Sequence, residues 1–259
     1  MRSLSIASLL LASAAISPAL HAQAAGTATW ADSVSSLVAK AMAANSPAML
    51  DEAVALADRV LAVTPKDGVM LHYKGYALYR KGNLMLGARA RESELKPVLE
   101  EADAVLEASA AVLKWPETSA LQASVLGQLI GIGGMLSGMR LGPKADNLFD
   151  EAMRIDPANP RVFMLRGIGS IYKPKMFGGG SDKAERDLRK ALELFATHHP
   201  VSPAPAWGHA EAWAWLGQVL AGEKKVDDAR KAYQEALAID PGYTWVARVL
   251  LPALDNVKR

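Results

Sequence analysis

The 259-residue sequence contains no cysteine. That removes disulfides, thiol nucleophiles and thiolate metal ligands at once, and with them the lipid-attachment site of a bacterial lipoprotein. Charge of neither sign dominates: 29 Lys and Arg stand against 27 Asp and Glu, a formal net charge of +2. The balance therefore gives no argument for nucleic acid or an anionic partner. Beyond the N-terminus there is no run of about 18 uninterrupted apolar residues, so no membrane span is expected. No stretch alternates apolar and polar residues for long enough to make a strand. Neither a Gly-x-Ser-x-Gly elbow nor a His-Glu-x-x-His helix occurs, and the Gly-rich segment Gly178–Gly180 lacks P-loop spacing. The sequence thus predicts no catalytic residues, no cofactor and no enzyme activity.

What is present is mostly helix-forming. Apolar residues make up 51% of the chain, and much of that is Ala and Leu, as packed helices require. Residues 1–24 combine one Arg, a short apolar run and the small-residue site Ala22-Gln23-Ala24, which describes a secretory signal peptide. A free periplasmic location is the expectation.

The clearest stretch runs from Ala210 to Pro241. Trp213, Leu216, Gly217 and Leu220 recur at i, i+3, i+4 and i+7, placing them on one helix face. After a break at Gly222–Lys225, the acids Asp227 and Asp228 open a second helix at its positive end. Val226, Ala229, Tyr233, Ala236 and Leu237 share that helix's inner face, and Pro241 ends it.

At these residues the chain resembles the tetratricopeptide repeat (TPR) family, whose first helix carries a large residue, Leu-Gly and a second large residue. Its second helix carries Ala, an aromatic and Ala before a terminal Pro. The resemblance implies an all-α, right-handed superhelix of antiparallel helix pairs. Phasing the chain against this repeat gives units over 30–65, 68–116, 126–157, 160–195 and 210–241, with a capping helix over 242–255, all in one domain spanning 25–259. In this register Gly75, Gly133 and Gly167 take the place of Gly217. Residues 84–96 read as an inserted helix or as part of a long helix kinked at Pro97.

The MFGGG loop ahead of a repeat's second helix also resembles the periplasmic T-component found with some TRAP transporters. With the AWGHAEAWAWLG run and the TWVARVLLP ending, it is similar to a group of exported bacterial TPR proteins. The first likeness implies a ligand-handling or docking role; the second implies no activity of its own.

Projecting the first helices onto the inner, concave side predicts a binding face. His72, Tyr76, Tyr79 and Arg80 come from the second unit, and Ile130, Gly134 and Ser137 from the glycine-rich third. Arg161, Met164, Ile168 and Tyr172 come from the fourth, and Gln218 from the fifth. An apolar, aromatic surface with Arg80 and Arg161 suits a protein or peptide partner, with the arginines pairing a carboxylate. The alternative is a small amphiphilic ligand in a closed chamber, serving an envelope transport system. His198, His199 and His209 lie close in sequence but lack the further ligands of a zinc site, so no metal is expected.

Overall fold

The computed structural model describes the backbone of residues 18–256 and side chains from residue 26 to 255. Most of the expected signal peptide lies outside the described residues. The described chain is a succession of helices with no strand among them: α1 (Pro18–Ala44), α2 (Pro47–Leu61), α3 (Gly68–Gly87), α4 (Glu92–Val112), α5 (Pro116–Ile155), α6 (Pro160–Tyr172), α7 (Ser181–Phe195), α8 (His209–Gly222) and α9 (Val226–Ile239). A short π-helical turn, Val246–Leu250, leads into α10 (Leu251–Ala253) and closes the array.

The start signals are local. Ser46, Asp67 and Asn159 each accept a backbone N–H of the first turn of α2, α3 and α6, satisfying donors that a helix start leaves open. Pro47, Pro116 and Pro160 fill first-turn positions, where a missing N–H costs nothing. The Gly-rich loop behaves differently from a hydroxyl cap: Gly180, with φ 102°, is the cap of α7, and Ser181 is already helical.

From α1 to α9 each helix packs on its sequence neighbour, and the first helices of successive units also touch, as α3 does α5 and α6 does α8. One apolar core runs continuously from Ala31 to Leu254. Close helix crossing depends on small residues. A Cβ at Gly217 would lie 2.3 Å from the Tyr233 ring, and one at Gly75 would lie 2.5 Å from Leu106. This is the all-α superhelix of helix pairs that the repeat pattern predicts.

The structure differs from the sequence register in two places. No separate 84–96 helix exists, nor one long kinked helix. Residues 84–87 end α3, a turn follows, and 92–96 begin α4, which runs straight through Pro97. Both helices of this pair are therefore simply long. The third pair starts at Pro116 rather than 126, and its two arms meet at Gly134, whose φ of 67° and ψ of −155° break the helix. The eighth residue of its first arm, the place Gly75 holds in α3 and Gly167 in α6, is the buried Ala123. Gly133 is instead part of the turn: a Cβ there would lie 2.1 Å from Ser137 Oγ.

Candidate functional site

The inner face is formed by the first helices of the pairs, and it is already occupied. Between α7 and α8 the Pro-rich connector, residues 196–208, crosses back over α6, α3 and α1 as a strap with a turn at Val201–Ala204. Tyr73 Oη donates to the Pro203 carbonyl at 2.7 Å. Ser202 Oγ donates to Asp32 of α1 at 2.8 Å. Trp207 lies flat on Tyr76, centroids 4.7 Å apart and planes 10° from parallel. The Arg161 guanidinium covers Trp207 at 5.6 Å and Phe195 at 5.3 Å, within cation–π range. Gly208, at φ 108°, brings the strap against Met164 and Phe195. The ends of the array meet as well, Thr244 Oγ1 donating to the Ala43 carbonyl at 2.9 Å.

The predicted face therefore divides. His72, Tyr76, Tyr79, Arg80, Arg161, Met164 and Ile168 are brought together, but all are buried. The expectation of an accessible groove is corrected here, because a 13-residue connector fills it. Gly134, Ile130 and Ser137 are not on this face. The register shift carries them to the tip of the α5 hairpin, where Gly134 is exposed and the other two are half-buried. Tyr172 stands at the outer end of α6, edge-on to Trp215, and is 72% exposed. Gln218 is half-buried on α8.

Two buried ionic groups brace the closed face. Arg80 Nη1 donates to both Glu211 oxygens at 2.7 and 2.8 Å, tying α3 to α8. Burial works against the Arg80 charge, but Glu211 and nearby tyrosines outweigh it, and its pKa lies above the ordinary value. Arg161 is less well served: its nearest carboxylate, Glu117, is 3.8 Å away and also accepts from Asn159 at 2.8 Å. Burial lowers its pKa to about 10, with Glu117 only partly opposing. Beside it, His72 Nδ1 shares a 2.9 Å hydrogen bond with Thr118 Oγ1. Burial first, and then the Arg161 charge, push His72 down to about 3, so it is neutral near pH 7.

The three C-terminal histidines go separate ways. His198 Nδ1 lies 3.4 Å from Arg161 Nη1, and His209 stacks on Phe195 at 5.1 Å. Among the described residues no three His, Asp or Glu side chains gather in a metal-binding group. A shallow hollow at Thr64–Asp67 lies apart from the inner face. Sequence reasoning missed Pro203, Trp207 and Asp32. The signal for the first two was an unusually long aromatic and Pro-rich connector; Asp32 carried none.

Residues 210–243 match the family model described as Tetratricopeptide repeat. The chain is built on the tetratricopeptide repeat fold. Among solved structures it is similar to the HusA haemophore from Porphyromonas gingivalis, with 25% identity, a TM-score of 0.61, and coverage of 74% of this chain and 94% of that one. It is also similar to a thermophilic TPR protein in Thermus thermophilus, with 19% identity, a TM-score of 0.57, and coverage of 81% and 92%. No curated protein matches the sequence significantly. The TPR fold is that of a protein-interaction scaffold.

Proposed function

We propose that the protein is an exported, periplasmic, non-catalytic TPR scaffold whose inner face takes a Pro- and aromatic-containing peptide in exchange for its own strap. The observation that carries this reading is the strap itself. Tyr73 holds one of its carbonyls, Tyr76 and Arg161 hold its Trp207, and Asp32 holds its Ser202. These are the contacts a peptide ligand would use: a main-chain hydrogen bond for hold and aromatic seats for specificity. A partner segment of similar chemistry, delivered from another chain, can compete for the same seats.

The test uses a fluorescent peptide with the sequence of residues 197–209 and the chain from Ala25 onward. The Trp207→Ala variant, whose own strap is held less firmly, is expected to bind the peptide more tightly than the parent. Absence of binding to both forms, with the fold intact by circular dichroism, overturns the reading.

The likeness to HusA, a haemophore, favours a second reading in which the occupant is a planar amphiphile of the haem kind. The seat would be the same. Tyr76 stacks on the strap's Trp207, Arg161 lies over both Trp207 and Phe195, and Met164 and Phe195 approach Gly208. Titration with haemin separates the two readings. A saturable Soret shift that displaces Trp207 supports the small-ligand reading, and an unchanged spectrum removes it. The TRAP T-component role rests on the loop resemblance alone.

A further inference from the structure

Thirteen large hydrophobic side chains stand exposed among the described residues, and six of them share one edge: Met135, Leu136, Met139, Tyr172, Met176 and Phe177. The topology gathers them. In an array of antiparallel pairs, every turn from first to second helix lies at the same end, so the Gly134 turn and the Lys173–Gly180 loop stand at the same end of the array.

The hairpin also overhangs α6. Lys173 Nζ, just past the end of α6, pairs with Asp146 of α5 at 2.6 Å. Residues 135–145 therefore run on past α6, by about 16 Å at a helical rise of ~1.5 Å per residue. At this overhang Met135 is 83% exposed and Leu136 81%. Added Cβ atoms at Gly131, Gly134 and Gly142 would meet nothing within 4 Å. These glycines are thus not required by helix packing. On the neighbouring loop, Met176 and Phe177 sit in a one-turn 3-10 helix with Lys175.

Charge is distributed with equal bias. From Thr118 to Ala145 there is no Asp or Glu, while Arg140 and Lys144 are present. Lys144 reaches back to Asp103 and Glu107, but Arg140, at the tip, makes no ion pair among the described residues. We propose that this edge docks on an anionic bilayer surface. The hairpin tip and the Met176–Phe177 turn enter the headgroup region, and Arg140 lies at the level of the lipid phosphates.

Three features favour a bilayer over a protein. The apolar groups sit on two separate turns rather than in one continuous groove, so two copies offer each other little self-complementary area, whereas a stable dimer needs roughly 800 Å² from each partner. Insertion of such turns buries apolar side chains without asking for a shaped receptor, and a flanking cation adds attraction to acidic lipid. Finally, the break at Gly134 makes α5 a hairpin, not a spanning rod, although its apolar length passes for one.

The experiment is co-sedimentation of the chain from Ala25 onward with vesicles of phosphatidylcholine alone or mixed with phosphatidylglycerol. The protein is expected to pellet with the mixed vesicles, weakly with the neutral ones, and to be released by high salt. Leu136→Gln with Met139→Gln should lower the vesicle partition constant about a hundredfold, since each of the two apolar chains contributes roughly a tenfold factor when buried. Arg140→Gln should weaken binding to the acidic vesicles alone. Both sites are exposed, and circular dichroism confirms that the variants fold. Absence of pelleting overturns the proposal, as does pelleting indifferent to the Leu136 and Met139 changes. A concentration-dependent dimer that the same double variant dissolves also overturns it, because a second copy would then cover the edge.

Discussion

Trp207 of the strap and Tyr76 of α3 are stacked at 4.7 Å, although 131 residues separate them. The contact makes the inner face of the superhelix part of the core. Trp207→Ala is expected to destabilise by about 2–3 kcal/mol, less than the ~3–5 of a fully buried Trp because the indole is only partly enclosed. Urea unfolding followed by far-UV circular dichroism measures it. A change below experimental error would mean that the strap does not hold the face closed.

The Arg80–Glu211 pair gives a second handle. Both side chains are nearly buried, at 8% and 12% exposure. Glu211→Gln keeps the shape but leaves the guanidinium without its countercharge, a loss of roughly 3–5 kcal/mol. Arg80→Met with Glu211→Leu should lose less than Glu211→Gln, since no charge is then stranded. Tyr76→Ala with Arg80→Ala, harmless to stability if the face were open, is expected to lower the melting temperature markedly.

Stability should depend on pH through His72. Its folded pKa is about 3 against an ordinary 6.5, so between these values the unfolded chain binds a proton that the folded chain does not. The contribution is complete above pH 6.5 and declines as pH falls toward 3, with a slope approaching about 1.4 kcal/mol per unit. His198 and His209, also lowered, chiefly by burial, add with the same sign. His72→Asn, which can still bond Thr118, should flatten the profile. Urea midpoints collected at several pH values between 4 and 8 provide the check.

Three glycines should respond in opposite directions. Gly217→Ala forces a methyl into the Tyr233 ring and should cost about 1–3 kcal/mol. Gly134→Ala places a side chain at a positive φ, a strain of about 1–3 kcal/mol. Gly127→Ala meets nothing within 4 Å in a helical segment, and should stabilise by about 0.4–1 kcal/mol. Thermal melts of the three variants side by side decide the order.

The repeat from Ala210 to Pro241 was legible because each of its signals is local. The Gly217–Tyr233 approach, the acid pair at the start of α9 and the Pro241 stop all act within one helix pair. The third pair misled because its glycines imitate the repeat glycine, while Ala123 does the packing. A Gly that permits a close approach and a Gly that permits a turn carry the same letter. Only the position of Pro116, ten residues earlier than the glycine register implied, distinguishes them.

Of the residues assigned to the inner face, His72, Tyr76, Tyr79, Arg80, Arg161, Met164 and Ile168 do lie together, since the period of 3.6 fixes which side chains share a face, whereas Ile130, Gly134 and Ser137 were misplaced with the register of the third pair. The accessibility of the cluster was not encoded in that period. Whether Tyr76, Arg80 and Arg161 meet solvent depends on where a connector more than a hundred residues away from α3 comes to lie. Contacts such as Ser202 with Asp32 and Thr244 with Ala43 exist only after the superhelix has curved back on itself. Likewise, a net charge of +2 gives no hint that Met135, Leu136 and Met139 of the α5 hairpin stand exposed. The sequence by itself determined helix pairs and their order, because capping, periodicity and small-residue contacts act over a few turns. The tertiary structure alone decided which faces remain open, because the curvature summed over all the pairs places the strap and the tip.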